Sequence, residues 1–149
     1  MKLGEVAAAV GKGLFAGVAG TAAMTASSTL EAKLRGRGAS STPAQAAQKV
    51  LGVEPMNEGS EARFTNLVHW RYGTVWGGAR GLLATAGLSG PTATAAHLGA
   101  IWGSEQIMLP ALEVTPPLAE WGVEEIAIDA LHHLVYATTT GLAYSYLDR

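Results

Sequence analysis

The sequence predicts an all-α fold: a polytopic membrane bundle of about four transmembrane helices that pack through glycine. Charged residues make up 15% of the 149 residues, whereas soluble domains contain roughly 25%. Glycine occurs 19 times, and three stretches of 18 to 24 residues carry no charge. A helix needs about 20 mostly apolar residues to cross a bilayer, so these stretches locate the predicted spans.

Four spans follow from three stretches because the longest stretch, residues 81–104, contains a turn. The sequence Leu-Ser-Gly-Pro-Thr at 88–92 would not be tolerated inside a straight helix. The stretch is therefore divided between two helices, which the tight link at 88–91 joins as an antiparallel hairpin. The predicted spans lie near residues 13–33, 65–88, 92–112 and 124–147.

Two connections remain between these spans. Residues 34–64 form the longer one, in which threonine followed by proline predicts a surface helix from Pro43 to Leu51. Residues 113–123 form a stiff, proline-containing loop. The segment 31–64 holds five Lys/Arg residues, which favours a cytoplasmic location. The loop at 113–123 must lie on the same side but carries only acidic charges, so the orientation stays open.

Two alternatives to this prediction stay open. The first span is weakly apolar and could be a cleaved signal peptide, although Glu5 and Lys12 are unusual before the apolar region of such a peptide. The whole chain could instead be a glycine-rich soluble α-protein. In water each glycine inside a helix costs about 1 kcal/mol relative to alanine, which disfavours that alternative.

Small residues recur at intervals of four along the predicted spans. Residues four apart share a helix face, and small ones let helix backbones approach closely in lipid. The predicted packing glycines are Gly13, Gly17, Gly73, Gly77, Gly81, Gly99 and Gly103.

Five ionisable residues are predicted to form a buried polar network. Such groups cost at least about 2–3 kcal/mol each at the bilayer centre, so they are expected to face the bundle interior and to have a role. Arg80 and Glu105 differ in depth by roughly 7 Å at 1.5 Å per residue, and we expect them to pair across the hairpin. Asp129 precedes His132 by three residues and His133 by four, so it can contact either imidazole.

Three interpretations of this network are open. It could be a hydrogen-bonded structural cluster, or a proton or ion relay, because histidine titrates near neutral pH and carboxylates relay protons in membrane carriers. The third interpretation is a metal or haem ligated by His132 and His133, since Asp-x-x-His is similar to the Glu-x-x-His element of di-iron bundles. No second element of that kind occurs in the sequence.

Several function classes are disfavoured by the composition. A net charge of -2 argues against nucleic-acid binding, and the lack of cysteine excludes disulfides and thiolate chemistry. The sequence contains no phosphate-binding loop, dinucleotide fingerprint or nucleophile elbow. The prediction is therefore a protein without a clear enzymatic signature.

The C-terminal third contains a motif that runs through Pro110, Thr115, Pro116, Pro117 and Trp121 to the His-Leu-Val-Tyr sequence that begins at His133. This motif resembles that of the YagU-like family of bacterial inner-membrane proteins. The chain departs from the family in lacking much of the long segment after the first span and in having His132 beside His133. The resemblance implies a multi-pass protein of the bacterial inner membrane with a helical bundle, and it implies no catalytic residues.

The sequence thus predicts a small inner-membrane protein whose buried network is structural or carries protons or ions. Its expected partners are the lipid bilayer and either a second copy of the chain or another membrane protein. The alternative function is that of an accessory subunit or homo-oligomeric component of a larger membrane complex. A metal- or haem-binding membrane protein is the third.

Overall fold

The computed structural model of the chain describes residues 2–38, 40–54 and 57–149, so parts of the predicted 34–64 connection lie outside the described residues. Within these ranges the fold is all-α, as predicted, and no strand is present. One turn of 3-10 helix lies at Leu118–Glu120. The α-helices are α1 (Leu3–Arg35), α2 (Thr42–Leu51), α3 (Glu58–Thr85), α4 (Gly90–Ala111) and α5 (Val123–Leu147).

Helices α1 and α3 begin well before the spans predicted from charge alone. Helix α3 begins at Glu58 because Asn57 caps it: the Asn57 side chain accepts a hydrogen bond from the Ser60 amide at 2.9 Å. The Ser60 hydroxyl in turn accepts one from the Asn57 amide at 3.0 Å, which completes a capping box. Helix α1 ends at Gly36, whose positive φ of 65° closes the last turn.

The four long helices alternate in direction, as in an up-and-down bundle. Lys12 near the start of α1 pairs with Asp148 after the end of α5, at 2.8 Å. Arg35 at the end of α1 pairs with Glu124 at the start of α5, also at 2.8 Å. We call the first of these ends the lower end and the second the upper end. Helix α1 packs mainly on α3 and α5, and α4 packs mainly on α5.

Helices α1 and α3 touch through their glycines. A Cβ added at Gly17 would lie 2.8 Å from the Gly73 carbonyl oxygen and 2.8 Å from Gly77 Cα. A Cβ at Gly81 would lie 2.9 Å from Val10 Cα, and one at Gly13 would meet the backbone of Gly77. Because these contacts are made by backbone atoms, no larger residue fits at this crossing without separating the helices.

The glycines of α4 do not take part in packing within the chain, contrary to the prediction. An added Cβ at Gly99 or Gly103 would meet nothing within 4 Å. The buried residues on α4 include Ala93, His97 and Ile101, which lie two residues out of phase with this stripe. Two residues correspond to about 200° around a helix, so the glycines point away from the other helices.

Many large apolar side chains lie on the outside of the bundle, while several polar and ionisable side chains are buried together with small and apolar residues. Large apolar residues such as Phe15, Val75, Ile107 and Leu142 expose 67–77% of their surface. The buried side chains, by contrast, include Thr21, Arg80, His97, His132, His133 and Thr140. By length and hydropathy, α1 is the one described helix long and apolar enough to cross a membrane.

Candidate functional site

The upper half of the bundle contains a buried histidine–carboxylate cluster between α4 and α5. His133 on α5 is 3% exposed, and its Nε2 lies 2.7 Å from Oε2 of Glu105 on α4. Its Nδ1 lies 2.8 Å from the carbonyl oxygen of Asp129, one turn earlier on α5, and 3.6 Å from Asp129 Oδ1. The structure thus brings together three of the five residues of the predicted network.

The geometry around His133 fixes the number of protons that it shares with Glu105. A carbonyl oxygen can only accept, so Nδ1 carries a hydrogen and donates it to Asp129. In a neutral imidazole Nε2 then carries none. The contact with Glu105 is therefore a hydrogen bond only if one further proton lies there, either on the imidazole or on the carboxyl group. The pair shares one proton that can reside on either group.

Trp102 completes this cluster, although it was not among the residues predicted for the network. Its indole Nε1 donates to Oδ2 of Asp129 at 2.7 Å, which orients the carboxylate beside His133. Trp102 precedes Glu105 by three residues and therefore lies on the same face of α4. That spacing was the available signal, since an indole N–H buried beside a carboxylate is a natural donor.

His132 belongs to a different set of contacts, on the side of α5 that faces α1. Its Nδ1 is 2.8 Å from the Ser27 hydroxyl, and its Nε2 is 3.7 Å from Oε2 of Glu31. Glu31 also pairs with Arg35 and Arg37 at the upper end. Adjacent residues on a helix point about 100° apart, so His132 does not join the Glu105 cluster.

This divergence bears on the metal or haem interpretation. His132 is directed toward Ser27 and Glu31, whereas His133 is directed toward Glu105. Within residues 2–38, 40–54 and 57–149, no group of three or more metal-binding side chains is arranged to hold an ion.

Arg80 does not pair with Glu105, contrary to the prediction. Its guanidinium carbon lies 4.5 Å from the centroid of the Tyr144 ring on α5, near the lower end. Glu105 lies toward the upper end, where it is bound by His133. The depth argument assumed that α3 and α4 pack along their whole length. In the structure α3 packs mainly on α1, and Arg80 faces α5 instead.

Four residues of the family-like motif, Thr115, Pro116, Pro117 and Trp121, lie in the loop at 113–123, which we call the upper loop. Trp121 donates its indole N–H to the Pro116 carbonyl oxygen at 2.9 Å, which closes the loop on itself. Pro110 lies in the last turn of α4, and Pro117 precedes the 3-10 turn. The Thr115 hydroxyl oxygen is buried without a partner in the described chain. This loop sets the spacing between the helices that carry Glu105 and Asp129.

The cluster can hold a proton inside the bundle and exchange it between an imidazole and a carboxylate. A second imidazole lies nearby on α3: His69 Nε2 is 2.9 Å from the Thr25 hydroxyl. That hydroxyl already donates to the Thr21 carbonyl oxygen, so His69 Nε2 is the donor.

Comparisons of the chain with protein-family models, curated proteins and solved structures return no match.

Proposed function

We propose that the chain is a small integral membrane protein whose four long helices cross the bilayer and whose Glu105–His133 pair relays protons. The observation that carries this proposal is that many large apolar residues are exposed while Arg80 and three histidines are buried. In water, exposing Phe15, Val75 and Leu142 while burying Arg80 would be unfavourable on both counts. In lipid, apolar residues belong on the outer surface, and the ionisable residues of a span face the bundle interior.

Among the described helices, α1 alone reaches the hydropathy expected of a span, and the interior residues give a reason for this. Hydropathy averages both faces of a helix, and the buried residues of α3 and α5 include Arg80, His132 and His133. Arg71 is exposed on α3 six residues after the start of the predicted span. At 1.5 Å per residue it lies about 9 Å along the helix from residue 65, where the predicted span begins, so an extended arginine at this position can reach the headgroups.

The resemblance to the YagU-like family supports a location in the bacterial inner membrane. The motif of that resemblance includes Thr115, Pro116 and Trp121, which form one closed loop. His133, the histidine of the motif, is also the residue that shares its proton with Glu105.

Membrane insertion can be tested by cysteine labelling, because the natural chain contains no cysteine. Phe15→Cys and Leu142→Cys place a thiol on outward apolar surfaces, and Gly38→Cys places one in the exposed upper connection. We expect a polar maleimide to label Gly38→Cys in opened membrane fragments and to label the other two only after detergent is added. Equal labelling of all three without detergent would refute insertion.

The relay is tested by proton flux into proteoliposomes. With potassium and valinomycin balancing charge, we expect an imposed pH gradient to decay faster with the wild-type protein than in protein-free vesicles. Glu105→Gln keeps the shape of the side chain but cannot accept the proton, and we expect it to reduce this flux at least about tenfold. The matched control is Glu113→Gln, whose side chain is 87% exposed in the upper loop. Flux from Glu105→Gln equal to that of the wild type would refute the relay.

A further inference from the structure

A second group of buried polar atoms lies in the lower half of the bundle, apart from His133. Arg80 is 2% exposed and His97 is 0% exposed. The Arg80 Nε and Nη1 atoms and the His97 Nδ1 atom have no hydrogen-bond partner among the described residues. A buried charge is normally paired, because an uncompensated one is among the costliest features of a protein interior.

Arg80 and His97 lie beside the same turn of α3. His97 Nε2 donates to the Trp76 carbonyl oxygen at 2.9 Å. In an α-helix the same carbonyl accepts from the amide of residue 80, so the imidazole lies beside the turn of α3 that carries Arg80. Side chains on a helix lean toward its N-terminus, which directs Arg80 back toward this turn.

The carboxylates of the neighbouring helices have other partners. Asp148, beyond the end of α5, is bound by Lys12 of α1 at 2.8 Å. Glu105 on α4 is bound by His133 at 2.7 Å. Arg80 therefore lies against the Tyr144 ring, and no described residue accepts a hydrogen bond from its Nε or Nη1.

We propose that Arg80 and His97 bind a small monovalent anion, of the size of chloride or formate, together with one proton. Arg80 supplies the positive charge and the free N–H donors. Because Nε2 of His97 donates to Trp76, a neutral Nδ1 presents only a lone pair, which would repel an anion. A proton on Nδ1 turns it into a donor, so the anion and the proton bind together.

The bound anion would accept hydrogen bonds from the guanidinium and from the protonated imidazole, which gives these buried donors a partner. Aromatic rings lie against both residues of the pair. Tyr144 covers one side of the guanidinium, and the Tyr136 ring centroid is 5.6 Å from that of His97. The titratable groups that face the pair from α5 are these two tyrosines, with Asp148 and Lys12 paired beyond them at the lower end.

This site is separate from the Glu105–His133 pair, and its test measures binding in detergent rather than flux. A ligand that binds only the folded state raises the melting temperature. We expect chloride and formate to raise the melting temperature of the purified protein in a saturable manner. Gluconate at equal ionic strength, which is too large for the site, should have no such effect. One coupled proton predicts that the apparent affinity falls about tenfold per pH unit where His97 is neutral.

Arg80→Met removes the charge, and we expect it to abolish the saturable shift. The matched control is Arg71→Met, an exposed position on the same helix, which should keep the shift. If Arg80→Met does not fold, chlorine NMR of the wild-type protein decides, since bound chloride broadens the signal and formate should reverse the broadening. A shift retained in Arg80→Met, or wild-type protein showing neither a saturable shift nor formate-reversible broadening, would overturn the proposal.

Discussion

Replacing Gly77 by alanine tests whether α1 and α3 are held together by direct backbone contact. The added Cβ would lie 2.5 Å from Gly17 Cα and 2.6 Å from the Gly17 nitrogen, whereas ordinary contacts of a Cβ begin near 3.4 Å. The helices must therefore separate by about 1 Å at this point. Side-chain rotation cannot relieve the clash, because the opposing atoms belong to the backbone.

The expected cost follows from two opposing effects. Inserting a methyl group into a packed contact costs about 1–3 kcal/mol, and the rigid backbone on the other side places this site near the upper value. Alanine is preferred over glycine inside a helix by about 1 kcal/mol, which offsets part of the cost. We expect a net loss of about 2 kcal/mol, close to a 30-fold change in the ratio of folded to unfolded protein.

The assay is unfolding by a denaturing detergent, followed by circular dichroism. Gly99→Ala is the matched control, since its added Cβ meets nothing within 4 Å. It should be neutral or more stable by up to about 1 kcal/mol. If Gly77→Ala and Gly99→Ala change the free energy of unfolding equally, the backbone-contact argument is wrong.

Three further substitutions test single hydrogen bonds by the same unfolding assay. Tyr136→Phe removes a buried hydroxyl that donates to an α3 carbonyl oxygen at 2.6 Å, and we expect it to lower the free energy of unfolding by about 1 kcal/mol. The control is Tyr146→Phe, at a residue 69% exposed, which should cause no measurable loss. Equal losses from the two variants would contradict the prediction. Trp102→Phe removes the donor to Asp129 and should cost about 1.5 kcal/mol, so an unchanged stability would mean that water replaces the indole. Asn57→Ala removes the cap of α3 and should cost about 1 kcal/mol, with faster amide exchange confined to the first turn; exchange that increases along the whole helix would show that the cap acts beyond it.

The helices were largely predictable because the chemistry that sets their limits is local. Charge-free stretches and the proline-containing turn at 88–92 identify the regions of the four long helices, and threonine followed by proline identifies α2. The early start of α3 depends on the reciprocal bonds of Asn57 and Ser60, a cap that an analysis based on charge does not consider.

The part of the site that could be predicted is the part whose depth in the bundle follows from counting residues outward from one loop. Glu105 and His133 flank the loop at 113–123 at similar distances, and they meet in the structure. The partner of Arg80 was not predictable in this way, because depth does not determine which neighbouring helix a side chain faces. The same limit applies to Gly99: a period of four assigns residues to one face but does not say what covers that face.

The position of α1 has a consequence for how the chain assembles during synthesis. The first helix is held at both ends by α5, through Arg35 with Glu124 and Lys12 with Asp148. These pairs are 89 and 136 residues apart in sequence, so they cannot form before α5 leaves the ribosome. Until then the surface of α1 that packs on α5 stays uncovered. A nascent chain halted before α5 should therefore depend on chaperones or insertases for longer than the full-length product.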